Sequence, residues 1–518
     1  MCFFVKKTKR IAISAMALVL AVAGLAGCSE KKTGTNEKMF VKWWSPLYPP
    51  VAQTASNYSE TVLYQELAKR SGVEIEFIHP SIGQEKENFN IMLASGDLPD
   101  LIQYDFAAYK GGVTKAIDDG VIISLNDHMD KAVNYKKVLE EHPDWKRQVM
   151  TDDGTIYCFA SLNGDEKGLC WQGLQIRKDL LDKAGLPLPE TIEEWDKALR
   201  AFKDMGIQYP LTLTGTNHNS AFSGAFGIGE RFYQENGVVK HGVCEPGFKE
   251  YIEFFKGWYA DGLLDPDYFA QDGKTFDSKI TSGKAAAYFA PAGGGMGRYL
   301  PVLQNTNPEY DLAGCKFPVM NKGDIPRFGV KSFEFTPNLS VHISAQCKNP
   351  DAAIKVLDYG FSEDGHMLYN FGVEGVSYNM ENGYPKYTDE VLKNPEGLNV
   401  LHAMAKYVAS VYGGPFVTDD RYYEQYASMP QQREAVSNWS VQDDAQRIPN
   451  VSFNEAETDV IASKQTAVNS FISENLLGFI TGKKSMDEYE SFTKEVREMG
   501  LDDIIAVYQS ALDRYNAR

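Results

Sequence analysis

The sequence predicts an α/β protein of two lobes, and three observations carry that prediction. From residue 39 onward, strand-like and helix-like segments alternate, the pattern of a parallel sheet covered by helices. The alternation restarts near residue 156, as a second sheet would require. With 518 residues and 12% aromatic side chains, the chain exceeds what one ordinary core can bury.

The first segment is not part of either lobe. Lys6, Lys7, Lys9 and Arg10 precede a run from Ile11 to Leu25 that is apolar or small except for Ser14, and the run ends in Leu25-Ala26-Gly27-Cys28. This looks like a bacterial lipoprotein signal, residues 1–27, cut before Cys28, whose thiol would then be acylated. An uncleaved membrane helix is the alternative, and the shortness of the apolar run argues against it. Residues 28–38 read as the lipidated cysteine and a flexible polar spacer, because Ser, Glu, Lys, Thr, Gly and Asn bury too little area to order themselves. The expected location is the extracytoplasmic face of the cell membrane, held through the lipid anchor only.

Met39 to Trp44 reads as a first strand, and the prolines of Ser45-Pro46-Leu47-Tyr48-Pro49-Pro50 keep the next segment out of any helix. Glu60 to Arg70 has helical apolar spacing and stops at Gly72, after which Val73, Ile75 and Phe77 alternate as a strand. Lys86 to Ala94 places Phe89, Met92 and Leu93 on one helical face, Gly96 ends it, and Leu101-Ile102 opens another strand. Past Ile156 to Phe159, Lys178 to Ala184 forms a short helix closed by Gly185. Thr191 with Glu194 makes a capping box for a helix that puts Trp195, Ala198, Leu199 and Phe202 on its buried face. Asn349-Pro350 caps a later helix, and Ile504, Tyr508, Ala511, Leu512 and Tyr515 form one stripe that should dock on a lobe.

Composition excludes some functions. Without its signal the chain has 48 basic against 70 acidic residues, a net charge of −22, so it lacks the basic surface that nucleic acid requires. Cys158, Cys170, Cys244, Cys315 and Cys347 are odd in number and show no zinc spacing. They read as scattered small apolar residues, with the pairing of Cys158 and Cys170 left open.

Several motifs in order resemble one family. Phe77-Ile78-His79-Pro80, the segment from Gly83 to Asn90 and that from Met92 to Ile102 resemble the first lobe of the lipoprotein-type family 1 extracellular solute-binding proteins of carbohydrate ABC importers. The segments from Ile176 to Leu186 and Thr191 to Trp195, then Gly262 to Pro266, Ser282 to Ala286 and Asn349 to Gly365, are similar to later parts of that family. The resemblance implies a periplasmic-binding-protein-like (type II) fold with hinge crossovers near Phe159 to Gly164 and Gly329 to Val341. It implies a first lobe of residues 39–160 plus about 338–395 and a second of 161–337 plus about 396–518. It further implies a monomer that takes a carbohydrate, an oligosaccharide, into the cleft and delivers it to permease subunits. Many relatives carry a calcium loop after the capping-box helix. Lys203 to Pro210 offers one carboxylate where calcium takes about six or more oxygens, so no metal or other cofactor is expected.

A sugar needs flat aromatic platforms for its C–H faces and polar groups for its hydroxyl edge. Of Trp43 and Trp44, strand alternation sends one to the core and one to the cleft, and Trp44 is assigned to the cleft. Asp97 would accept sugar hydroxyls or cap its own turn. Trp171 and Gln172 follow the first crossover, where they contact ligand or simply pack. Tyr288 ends a strand that runs into a glycine-rich loop, which would let backbone approach a ligand and Arg298 donate a forked pair of hydrogen bonds. That loop lacks the ending of a nucleotide-binding loop. Glu374 and Tyr378 resemble a cleft-facing family segment, Glu374 as acceptor and Tyr378 as stacking or hydroxyl partner. Trp439 reads by context as an exposed-loop aromatic, or equally as one that seals a surface.

Two other classes remain as alternatives. A lipid-anchored glycan-degrading enzyme would need a placed carboxylate pair, and no GxSxG, HExxH or Cys/His nucleophile signature is present. A ligand sensor or a peptide-binding relative would share the fold and differ in partner.

Overall fold

The computed structural model describes residues 39–164, 168–215, 221–229 and 231–518. The signal segment, Cys28 and the spacer lie outside the described residues. Among the described residues, no helix is long and apolar enough to cross a membrane.

Two four-stranded sheets organise the body from Met39 to Arg518. The first is built from β1 (Phe40–Trp44), β2 (Glu74–Ile78) and β3 (Leu101–Gln103). β1 pairs in parallel with both others, and a late strand, Val341–Ile343, lies antiparallel on β3. The strand–helix–strand unit forms as its sequence dictates. α1 (Val62–Ser71) starts at Thr61, whose hydroxyl accepts from the Tyr64 N–H, and ends at Gly72 in the left-handed region. α2 (Glu85–Ser95) ends likewise at Gly96.

The second sheet runs in the order Leu312–Gly314, Gln172–Arg177, Ala285–Pro291, Tyr209–Thr212. It is covered by the helix Ile192–Asp204, which begins at the expected Thr191/Glu194 capping box and buries Trp195, Ala198, Leu199 and Phe202. The helix Pro350–Tyr359 begins at Asn349, whose side chain accepts the Ala352 N–H. In the helix Asp502–Asn516, Ile504, Ala511, Leu512 and Tyr515 are buried, and Tyr508 stacks on Phe232 with centroids 4.2 Å apart.

Each sheet has its own apolar core. One gathers Val41, Trp43, Leu67, Phe77, Phe159 and Val356; the other gathers Leu174, Trp195, Leu211, Trp258 and Tyr288. These two cores are the two lobes of the α/β fold. The chain passes between them at both expected crossovers, where Phe159 bridges Val341 and Leu162 bridges Phe335. A third passage adds Val417–Thr418, paired in parallel with Leu162–Asn163. Ala405, Ala409, Tyr412 and Phe416 belong to the first core. The chain therefore leaves that lobe near residue 417 rather than near 395, because a helix, Val400–Tyr407, and the segment after it stay packed on α1 and its neighbours.

All five described cysteines are free, Cys158 and Cys170 included. Burial pushes the Cys158 and Cys315 thiols up, which suits inert apolar filling.

Candidate functional site

In open parallel sheets, ligands bind beyond the carboxyl ends of the strands. At that edge of the first sheet, Ser45 Oγ donates to Gln103 Oε1 (2.9 Å), and Gln103 Nε2 donates to the Leu339 carbonyl (3.0 Å). These bonds tie the strand ends to the crossover. His79, next after β2, accepts the Tyr58 N–H at Nε2 (3.2 Å), so Nδ1 carries the proton donated to the Ser45 carbonyl (2.7 Å). Beyond the frame lie Tyr48, Tyr104 and Asp105. Asp105 Oδ1 accepts the Ala107 N–H (2.8 Å), and burial raises this carboxyl above its ordinary range.

The facing edge of the second sheet is formed by Gln172 and Pro291, which pair across antiparallel strands. Trp171 is 40% exposed and donates its indole N–H to Ser332 Oγ (3.0 Å). Next to Ser332, the Arg447 guanidinium lies 3.8 Å from the centre of the Phe333 ring. Asp444 pairs with Lys331 at 2.6 Å and with Arg447 at 3.6 Å. Burial lowers the Arg447 pKa, and its Nη2 has no hydrogen-bond partner among the described residues. Tyr426 places its hydroxyl against Gly293 and lies within electrostatic reach of Tyr48 across from it. Burial pushes its phenol up to about 12.

These groups suit a polyhydroxylated ligand. Trp171 is an exposed ring and Tyr48, Tyr104 and Phe333 are half-buried ones, Tyr104 backed by Phe89 and Phe333 by Arg447, while Asp105 and Gln172 can hold hydroxyls. Of the residues expected from sequence, Trp171 and Gln172 stand at this edge.

The other expected residues are placed elsewhere. Trp44 does face away from Trp43, but it packs under α2 against Phe89 and Tyr104 and is 5% exposed. It lines a cavity of about 330 Å³ with Lys42, Ile78, Met92 and Asp97 on the flank of the sheet. Asp97 precedes β3 instead of following it, so it sits at the wrong end of the strand for the cleft; its N–H donates to Ser95 Oγ (3.2 Å). Tyr288 is fully buried, edge-on to Phe276 and Tyr299, and offers no surface to a ligand. Arg298 is bound by both oxygens of Asp277 (2.7 and 2.6 Å), which removes the free fork that an acidic sugar would need. Glu374 is exposed, and Tyr378 packs on Phe371 within reach of Arg70 at the far end of α1, opposite the carboxyl ends of the strands. Trp439 is fully buried, with its indole N–H on the Leu174 carbonyl (3.2 Å).

The glycine-rich loop serves packing. A Cβ on Gly293 would lie 2.2 Å from Tyr426 Oη, so the close approach there is to a protein ring. In the segment Lys203 to Pro210, Lys203 Nζ donates to the Asp261 carbonyl, and Asp204 is the one carboxylate. That donor set does not fit a calcium ion.

Sequence reasoning missed Tyr48, Tyr104, Asp105, Phe333 and Arg447. Tyr104 and Asp105 directly follow the strand at Leu101, and the rule for carboxyl ends would have found them. Phe333 and Arg447 meet only through folding.

A family model described as bacterial extracellular solute-binding protein matches residues 54–367, more than half of the chain. The chain belongs to this family. It is 26% identical over 558 aligned positions, covering 99% of each chain, to the fructooligosaccharide ABC transporter substrate-binding protein FusA of Streptococcus pneumoniae serotype 4. It is 23% identical to lipoprotein LipO of Bacillus subtilis, covering 96% of this chain and 95% of that one. The solved structure of S. pneumoniae FusA in complex with kestose superimposes with a TM-score of 0.71 at 23% identity, covering 92% of this chain and 99% of that chain. That likeness extends to the two-lobe fold as a whole.

Proposed function

We propose that this solute-binding protein is the receptor of an ABC importer. It is lipid-anchored through Cys28 and takes a carbohydrate, an oligosaccharide, into the cleft between its two sheets. It works as a monomer and hands the ligand to the permease subunits. The observation that carries the reading is the set of aromatic rings and polar groups at the facing sheet edges: Tyr48, Tyr104 and Asp105 on one side, Trp171, Gln172 and Phe333 on the other. Relatives named for fructooligosaccharide binding and as a lipoprotein agree with the ligand class and the anchor.

The site is built for binding rather than turnover. Glycoside hydrolysis needs two carboxyls at a set separation on either side of one bond. Among the described residues at this edge, Asp444 is engaged with two cations and Glu334 accepts from Gln148 Nε2 (3.2 Å), so neither stands free to pair with Asp105.

Thermal melting of the protein with neutral and acidic oligosaccharides of graded length tests this. A saturable rise in midpoint with the glycan recovered intact is expected, and Trp171→Ala should weaken that binding about tenfold or more, as truncated aromatic anchors do. Cleavage products, or no response to any glycan, would overturn the reading.

A further inference from the structure

Beyond the cleft, the Arg518 guanidinium is buried and fully bonded, with its side chain 1% exposed. All five of its N–H groups are used. Nε and Nη2 donate to Asp152 Oδ1 (2.9 and 2.7 Å), Nη1 to the carbonyls of Arg147 (2.9 Å) and Met150 (2.6 Å), and Nη2 also to Ser452 Oγ (2.8 Å). Arg514 takes the other oxygen of Asp152 through Nε (2.7 Å) and binds Glu457 with Nη1 and Nη2 (2.7 and 2.6 Å).

The partners come from different lobes. Asp152 sits in a turn between Val149 and Ile156, both in the first core. Arg514 follows Ile504 on the helix Asp502–Asn516, and Glu457 opens the helix Glu455–Ile480, whose Val468, Leu476 and Phe479 are, like Ile504, in the second core. The contact also lies beside the crossovers. The Asp152 turn leads within a few residues into Phe159, and Asn450, just before Ser452, donates to the Phe335 carbonyl (3.1 Å). Close by, a Cβ on Gly112 of the first lobe would lie 3.0 Å from the Phe453 carbonyl, so backbone meets backbone at this seam.

We propose that Arg518, Arg514 and Asp152 form a clamp that fixes the pivot about which the two lobes open and close. Burying a guanidinium is expensive, and an apolar pair would serve stability as well. What a fully bonded planar fork supplies is one fixed orientation between the parts it joins. In a rotation, displacement grows with distance from the axis, so a contact beside the crossovers survives opening whereas a contact at the cleft rim would break. This inference rests on the proposed receptor function, taken to include closing of the lobes on the ligand, and its residues are positioning residues outside the ligand site.

Small-angle scattering and ligand titration on the full chain test it. Arg518→Ala should broaden the ligand-free distribution of sizes and weaken the glycan bound by the wild type about tenfold, because a smaller fraction of molecules then holds the lobes in register. Asp152→Asn, at a partly exposed position, should act the same way to a lesser degree and serves if Arg518→Ala does not fold. A variant that melts earlier but keeps the wild-type scattering and affinity would show the clamp to be merely structural and would overturn the inference. If the wild type binds no glycan, the receptor reading falls while scattering of the ligand-free variants still decides the pivot.

Discussion

His342 and His241 are buried as neutral rings. His342 lies between Phe106, 4.4 Å away, and Tyr157, with Nδ1 on the Ile102 carbonyl (3.2 Å), and burial lowers its pKa to about 3. His241 is lowered to about 4, by burial first and by Arg231 second. An unfolded histidine takes its proton near pH 6.5 and the folded one refuses it until far lower, so below pH 6.5 the unfolded state binds more protons and stability falls. The loss continues down to the folded pKa and reaches at most about 3 kcal/mol for His241. Between pH 7.5 and 4.5 the melting midpoint should drop less steeply in His342→Phe than in the wild type. Parallel profiles would remove His342 from the account. At this scale the sequence was partly legible: alternation separated Trp43 from Trp44, but nothing local revealed that Asp277, 21 residues before Arg298, would claim its guanidinium. Ion pairing of that kind depends on where two elements meet.

Among the elements, the helix Pro430–Trp439 shows why a residue's surroundings outrun its sequence context. Trp439 ends this helix and inserts against Gly173, where a Cβ would lie 2.5 Å from three indole atoms, and beside Gly314, where a Cβ would lie 2.3 Å from the Ala435 Cβ. Two strand glycines thus open the groove that the helix fills, and its own small Ala435 lets it come close. Gly173→Ala should lower stability by about 1–3 kcal/mol through overpacking, and pairing it with Trp439→Phe should recover part of the loss, as measured by denaturant unfolding. Additive effects in the double variant would mean that the two do not press on each other. Helix starts and stops were readable because caps are local: Thr191 with Glu194, Asn349 with Pro350, and the left-handed Gly72 and Gly96 all do what their positions imply. The third crossover was not, since Val417–Thr418 is two residues long and has no periodicity to detect.

For the whole molecule, the consequence of two cores joined by three crossover strands is that stability need not be uniform. Each lobe has its own sheet and apolar cluster, so the ligand-free protein can lose one before the other. A ligand touching Asp105 and Trp171 together adds free energy that depends on both lobes being folded and in register. At a free concentration one hundred times the dissociation constant, mass action contributes about 2.7 kcal/mol. Spread over a unit of this length, the corresponding rise in melting midpoint is about 3 °C. Calorimetry should therefore show any two-step ligand-free transition merging into a single, later one as glycan is added. If only one step moved, the ligand would be held by one lobe alone, and neither the facing-edge site nor closure about the Arg518 pivot would hold. The expectation of two lobes was legible because strand–helix alternation repeats along the chain, whereas the cleft chemistry required knowing which strand ends face each other.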